Sequence, residues 1–454
     1  MIINRLSSYK KTFEKIVFFS LCFLFVFPIL PHAVQSIAIV VLLMFSVLTY
    51  GATIRCNIKK LSIKPFLFLC GWFLFLTLTL IYTQDFNEGI KRISRGVNFL
   101  IFPFIFFYIL PDFSLKKKNV LNNIFILTHL FLFCFLFYKA IEGIDKIGYR
   151  GPDGKLVKGL LDENIFKQIV TVLQMPFYLS RYYINENNIS TFFTHKVYLS
   201  MGFVWSVFLI AHKILNNNLG LIKKTLWSVL AMLFILAVIY FTSLPNLLVL
   251  LLLPIFIFLN LKKSIYKGAM VAVVLFFGLF AVNNDAIYNK VFNDVRLKTD
   301  IVEAKNMVLS ICKDKPYEEG ANIRLEVWRC AYQKISDAWL MGYGIGDEEN
   351  ILHECYIEKA CENCLGLNSH NYYASLLLMG GILVFGLFIL SIICSLKLAI
   401  DTKNYLLIVF ILLVTINLLS ENLFVRIHGV LFYSIIGSYM MAISLNKNHQ
   451  LEKR

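Results

Sequence analysis

The sequence predicts an all-α integral membrane protein of about twelve transmembrane helices, with one long extramembrane insertion between the ninth and tenth. Three observations predict it. Of 454 residues, 58% are hydrophobic and 15% aromatic, which is too apolar for a soluble globular protein. Nearly uncharged runs recur along the chain, and most are long enough to cross the roughly 30 Å hydrocarbon layer as a helix. One polar stretch interrupts them, residues 284–369, carrying Arg324, Trp328 and Gly342-Tyr343-Gly344-Ile345-Gly346.

The spans are expected at 16–31, 34–53, 65–83, 96–110, 120–141, 197–213, 222–241, 244–260, 267–283, 372–398, 404–419 and 427–445. The first run leads at once into further spans and lacks a small-residue cleavage site, so it is read as retained rather than as a secretory signal. The chain then divides into an N-terminal membrane bundle over 1–283, the insertion over 284–369, and a C-terminal membrane bundle over 370–454.

The formal charge of +16 does not point to nucleic acid, because the cations cluster between spans instead of lining one soluble face. Those clusters orient the chain. With Arg5, Lys10, Lys11 and Lys15 in the cytoplasm, the inner connections hold Arg55/Lys59/Lys60/Lys64, Lys116/Lys117/Lys118, Lys213/Lys223/Lys224, Lys262/Lys263/Lys267 and Lys397/Lys403. The C-terminus adds Lys447, Lys453 and Arg454, so both termini are expected inside. The short outer connections are poor in cations, apart from Lys91, Arg92 and Arg95. A thirteenth span at 164–183 would invert every later loop, so that stretch is laid along the outer surface as an amphipathic segment. The insertion and segment 142–196 are then extracytoplasmic.

Cys22, Cys56, Cys70, Cys134 and Cys394 lie in or beside spans, where a thiol behaves as a small apolar group. Cys312, Cys330, Cys355, Cys361 and Cys364 lie in the insertion. In an oxidising compartment they suggest structural disulfides, with the pairing open and one thiol left over. Within the insertion, 322–340 reads as an amphipathic helix, and Arg324 and Trp328, four residues apart, project from one side of it. Arg324 solvated or touching lipid headgroups is as good a reading as a functional arginine. The glycine string follows no strand and is not a nucleotide loop. Asp347 is a plausible N-cap for a second short helix through Lys359.

Asn368 and Ser369 are capping residues before a long apolar run, which places His370 in the first turn of a membrane helix at its outer end. A neutral imidazole there can take a proton from a sugar hydroxyl; a capping or interfacial histidine with no chemistry fits equally. The other outer polar groups include Arg150, His195, Glu421 and Arg426. Glu421 and Arg426 flank a short turn and can simply pair, and His195 can be an interface anchor. No carboxylate pair has a glycosidase spacing, and no His-x-x-x-His pair or acidic cluster suggests a bound metal. Cys361-Glu-Asn-Cys364 has the spacing of a metal or redox pair, with a structural disulfide the stronger reading in an oxidising compartment, and no cofactor is expected.

Four separated pieces together resemble the O-antigen ligase and polymerase family of membrane glycosyltransferases, in its Bacteroidetes-like branch. They are His195-Lys-Val-Tyr198; Arg324-x-x-x-Trp328 with Gly342-x-Gly344-x-Gly346-Asp347; Ser369-His370-Asn371-Tyr372-Tyr373 with Gly380-Gly381; and Glu421-Asn-Leu-Phe-Val-Arg426-Ile-His-Gly429. The resemblance covers roughly residues 195 to 440. It implies a GT-C-like fold in the bacterial inner membrane and metal-independent, inverting transfer of a glycan from undecaprenyl diphosphate at the periplasmic face. Lipid A–core, another lipid-linked glycan or a protein hydroxyl is the implied acceptor. Arginines hold the diphosphate by bidentate, charge-assisted bonds, supplying the fixed charge that a divalent ion would otherwise bring. His370 matches the family histidine that acts as general base, and Arg324 matches one family arginine. Arg426, Arg150, His195, Trp328, Asn371 and Glu421 are further candidates for binding substrate. The place of the family's second arginine reads Thr242-Ser243-Leu244-Pro245-Asn246; Arg150, Arg296 and Arg426 are the available substitutes, with Arg426 preferred for its motif. A transporter of lipid-linked sugars is the rival from another class, though the chain lacks the repeated halves and midplane charges that transporters favour.

Overall fold

The computed structural model describes residues 2–147, 149–150, 156–157, 160–168, 196–241, 243–261, 268, 323–359, 361 and 364–451. The helices of the N-terminal part are α1 (Ile2–Leu24), α2 (His32–Tyr50), α3 (Ile54–Leu61), α4 (Lys64–Leu78), α5 (Phe86–Gly96), α6 (Asn98–Phe104), α7 (Leu115–Ile147), α8 (Lys196–Asn216), α9 (Leu221–Phe241), α10 (Leu244–Leu250) and α11 (Leu253–Asn260). The insertion contributes α12 (Ile323–Asp337) and α13 (Glu348–Glu358), and the C-terminal part α14 (Tyr372–Asp401), α15 (Tyr405–Leu418), α16 (Ile427–Leu431) and α17 (Ser438–Leu451). Apart from Tyr149–Arg150 paired antiparallel with Leu156–Val157, the described residues form helices and their connections.

Eight helical stretches among the described residues are long and apolar enough to cross a membrane: His32–Leu61, Lys64–Ile81, Phe86–Ile109, Leu115–Lys139, Val197–Asn216, Leu221–Ile239, Tyr372–Asp401 and Ile427–Gln450. Each coincides with an expected span. The runs at 244–260 and 404–419 are the shorter apolar helices Pro245–Asn260 and Tyr405–Leu418. The run at 16–31 falls on the end of α1 and the turn Phe27–Ile29. Apart from residue 268, the expected span at 267–283 lies outside the described residues, as does most of the surface segment expected at 164–183. The chain is consistent with an integral membrane α-helical protein, with eight candidate spans among the described residues.

Two departures from plain spans build the end of the bundle that meets the insertion. The first is α5. Asp85 caps it by accepting from the Glu88 amide at 2.9 Å, and Gly89, Arg92 and Gly96 form its buried stripe while Lys91 faces out. The glycines let neighbours approach closely, Phe73 at Gly96 and Leu80 and Ile345 at Gly89, while the buried arginine needs carboxylate partners, and Glu348 and Glu349 of the insertion supply them.

The second is a break in α14. Gly381 sits at φ 62°, ψ −164°, a backbone conformation open essentially to glycine. There the helix hands its hydrogen bonds to the loop after α12. Tyr343 N donates to Leu378 O at 2.7 Å, Gly344 N to Met379 O at 3.0 Å, and Ile382 N to Trp339 O at 2.9 Å. At Gly342 (φ 68°) an added Cβ would lie 2.6 Å from Leu378 O, so only glycine permits this interlock. Residues 382–401 alone span about 30 Å at the helical rise, one hydrocarbon thickness. Residues 372–380 pack on both sides: Leu378 joins a cluster with Val327, Cys330, Leu352 and Tyr356 of the insertion, while Tyr372, Leu376 and Met379 join the core of the bundle. The expected span at 372–398 is thus two helical segments meeting at Gly381.

Beneath this end lies an aromatic core. Tyr372 meets Phe424 edge-on with ring centroids 4.9 Å apart, Trp72 stacks on Phe424 at 6.2 Å, and Phe99 and Phe388 close around them. Such rings fix their neighbours by volume as well as by burial. The residues just before α14 and just after α15 therefore start from a rigid floor.

Candidate functional site

His370 lies before α14, and this corrects the expected position in the helix's first turn. The helix begins at Tyr372, and its N-cap is Asn371, whose Oδ1 accepts from Tyr373 N at 3.0 Å and Ala374 N at 3.3 Å. Three good capping residues, Asn368, Ser369 and Asn371, stand within four positions here, and tertiary bonds choose the last. His370 takes φ 47°, and its amide donates to Asn368 Oδ1 at 3.0 Å. Its Nδ1 faces Glu421 Oε2 at 3.7 Å, beyond hydrogen-bond reach in this state. Nδ1 is itself buried with no hydrogen-bond partner. A proton gained on the ring would draw the two groups together.

The loop carrying His370 is tied on both sides. Trp328 Nε1 donates to Ser369 O at 3.0 Å, so the indole holds the loop by its backbone. Arg324 stands one turn before Trp328 on α12, exposed. Asn371 and Trp328 thus commit polar atoms to the loop itself. Tyr356 donates to Leu367 O at 3.3 Å; burial, and secondarily Glu348, push its phenol above the ordinary tyrosine range, which keeps it a donor.

Sequence reasoning missed the centre of this arrangement. Glu348, fully buried, accepts from Arg92 Nη1 at 2.6 Å through Oε2. Its Oε1 takes Ser369 Oγ at 3.3 Å, Asn422 Nδ2 at 3.3 Å, and the Ser375 hydroxyl. The partners come from α5, the His370 loop, the first turn of α14 and the turn after α15. Asp347 precedes α13 as expected, but its carboxylate does not cap that helix. It accepts instead from Gln84 N at 2.9 Å and Asp85 N at 2.7 Å, docking the insertion on the turn before α5. The outer cations Lys91, Arg92 and Arg95, the exception to the charge pattern, were the available signal.

Arg426 occupies the N-cap position of α16 and lines a cavity of about 770 Å³ with Arg95, His32, His428, Asn98 and Asn368. That volume falls in the range of ligand sites. Arg95 Nη1 also donates to Val425 O at 3.2 Å, so the two arginines are linked through neighbouring backbone. The His32 and His428 rings lie 4.9 Å apart on the same wall. His370 is not among the lining side chains, but Asn368, two residues before it, is. Of the other expected site residues, Arg150 lies in the short β-pairing, and His195 and Arg296 lie outside the described residues. Tyr198 of the first motif donates to Leu423 O at 3.2 Å, bracing the turn that leads to Arg426.

Two disulfides join cysteines of the insertion. Cys330–Cys355 ties α12 to α13, and Cys361–Cys364 closes a short loop. The fifth cysteine, Cys312, lies outside the described residues.

Residues 227–389 match the family model described as O-antigen ligase. The match contains Arg324, Trp328, the glycine string, Glu348 and His370, and ends before Glu421 and Arg426. It is narrower than the stretch the motifs cover. No curated protein matches the chain.

Proposed function

We propose, with the O-antigen ligase domain at residues 227–389 as premise, that the protein transfers a glycan from undecaprenyl diphosphate to an acceptor hydroxyl at the periplasmic face of the bacterial inner membrane, acting as a surface-polysaccharide ligase. One observation carries this reading: His370 faces Glu421 at the same end of the bundle as a large cavity bearing both Arg95 and Arg426. A base beside a carboxylate, next to a chamber with two fixed cations, suits displacement of a diphosphate from a sugar carbon.

In this reading the acceptor oxygen attacks C1 of the donor sugar. The C1–O bond to the diphosphate breaks, and its electron pair leaves with the diphosphate. The hydroxyl proton passes to Nε2 of His370, because Nδ1 faces Glu421. Glu421 then stabilises the imidazolium, as a carboxylate does behind a catalytic histidine. Arg95 and Arg426 hold the leaving diphosphate by charge-assisted hydrogen bonds, so Arg95 joins Arg426 in the place of the missing family arginine. Arg324, one turn from the indole that braces the His370 loop, is a further cation for the donor. The two insertion disulfides support an oxidising compartment for this face, in agreement with the charge pattern of the loops.

Purified protein in liposomes, given a labelled undecaprenyl-diphosphate glycan and three acceptors, tests the proposal. Label on lipid A–core identifies a ligase, on a second lipid-linked glycan a polymerase, and on a peptide hydroxyl a protein glycosyltransferase. Label crossing the bilayer with no transfer to any acceptor would overturn the enzymatic reading in favour of transport.

A further inference from the structure

The geometry points to Glu348, paired with Arg92, as the positioning residue that sets His370 and Glu421 against each other and against Arg95. The inference rests on the proposed role of His370 and deepens it. Its basis is how one carboxylate distributes its bonds. Oε1 takes Ser369 Oγ and Asn422 Nδ2, each at 3.3 Å, together with the Ser375 hydroxyl. Ser369 is the residue before His370, and Asn422 is the residue after Glu421. Both members of the His370–Glu421 pair are therefore one peptide bond from a side chain held by the same oxygen. Ser369 Oγ and Asn422 also bond to each other, at 3.1–3.2 Å. Oε2 meanwhile takes Arg92 at 2.6 Å, and Arg92 lies one turn before Arg95 on α5. A single side chain thus ties together the three chain segments bearing the base, its carboxylate and a cation of the cavity.

Burial explains why this assignment differs from ordinary stabilisation. Glu348 is 0% and Arg92 5% exposed at the side chain. Removing two charges from water costs about as much as their pairing returns, and apolar residues of similar volume often serve a fold equally well. What an apolar pair cannot supply is four directed hydrogen bonds converging on one point. A buried carboxylate that accepts four directed bonds restricts its partners to one arrangement, even though Arg92 Nε has no hydrogen-bond partner, and this arrangement sets the spacing of groups that reacting atoms must meet.

Three variants of the full-length protein in liposomes test it: Glu348→Gln, Glu348→Asp, and the paired Arg92→Met with Glu348→Met. Donor transfer is measured as kcat and KM, and His370 geometry by peptide-resolved modification with diethyl pyrocarbonate, with exposed His353 as internal reference. We expect Glu348→Gln and the double methionine variant to lose about 100-fold in kcat, the scale of a displacement of about 1 Å at a reacting group. KM for the donor should change only a few-fold, and His370 modification should accelerate relative to His353. Glu348→Asp, which keeps the charge, should recover part of the rate. The double methionine variant should still insert and retain the Cys330–Cys355 bond, which separates positioning from folding; should it fail to fold, Glu348→Gln decides alone. Unchanged kcat in Glu348→Gln, or unchanged His370 reactivity alongside a lost rate, overturns the positioning role. Full transfer by His370→Ala instead overturns the functional reading and leaves the His370 reactivity result standing.

Discussion

The span Phe86–Ile109 has cations at both ends, and the protein uses them differently. At the end that meets the insertion, Arg92 is buried against Glu348 at 2.6 Å and Arg95 faces a cavity. Past the other end, Lys116 is exposed, Lys118 pairs with exposed Asp112 at 2.7 Å, and the Lys117 ammonium lies over the Phe18 and Phe113 rings at 5.1 and 5.6 Å. Surface pairs of the second kind contribute about 0–1 kcal/mol and tolerate exchange. Their value is collective, as the loop charge that orients a membrane protein. The buried Arg92 guanidinium depends on carboxylates fixed around it, Glu348 and, at 3.2 Å, Glu349, so position matters there and sign alone does not suffice. Lys91, Arg92 and Arg95 depart from the expected loop-charge pattern, and two of them reach the candidate site, Arg92 through Glu348 and Arg95 through the cavity.

The sharpest way to break this contrast is to neutralise both kinds of cation. Arg95→Gln with Arg426→Gln should lower kcat/KM for a lipid-linked donor by about 100-fold to 10,000-fold, two charge-assisted anion contacts at about 1.5–3 kcal/mol each. Lys117→Gln should stay within about two-fold. Transfer assays on matched proteoliposomes read both, and comparable losses would erase the distinction. Next comes the interlock at Gly381. A Cβ there would lie 2.2 Å from Leu340 O on a positive-φ backbone, so Gly381→Ala should cost about 3 kcal/mol or prevent stable insertion. Thermal unfolding in detergent against Gly386→Ala, where nothing lies within 4 Å of the added carbon, supplies the control. Removing the Cys330–Cys355 bond should cost the insertion about 3 kcal/mol, given the 25-residue separation. Faster proteolysis between α12 and α13 would show it, with the rest of the chain protected. Smallest is Asn371→Ala, which deletes a cap worth about 1 kcal/mol; a modest fall in thermal midpoint and a few-fold fall in transfer are expected.

Much of this end of the molecule is legible in the amino-acid order. Spans announce themselves by apolar length, and His370, Glu421 and Arg426 stand out as polar groups at the edges of apolar runs. The break at Gly381 does not, because a long run without periodicity hides where its backbone bonds are exchanged. Nor does the pairing of Arg92 with Glu348, 256 residues apart: nothing local marks Glu348 among the acidic residues at 347–349, and burial arises only once α5, α13 and α14 meet. The N-cap was misplaced by tertiary bonds, since Asn368 and Ser369 have caps' chemistry but spend it on His370 N and Glu348. The glycine string permits close backbone approach to α14.

The central claim is that His370 accepts the acceptor's proton at this end of the bundle, and single-turnover transfer by wild type and His370→Ala in the same liposomes tests it most directly. The account predicts that the variant inserts normally, still binds the lipid-linked donor, and loses at least about 100-fold in the chemical step, the range of a general base. Transfer at the wild-type rate by a well-inserted His370→Ala protein would contradict it.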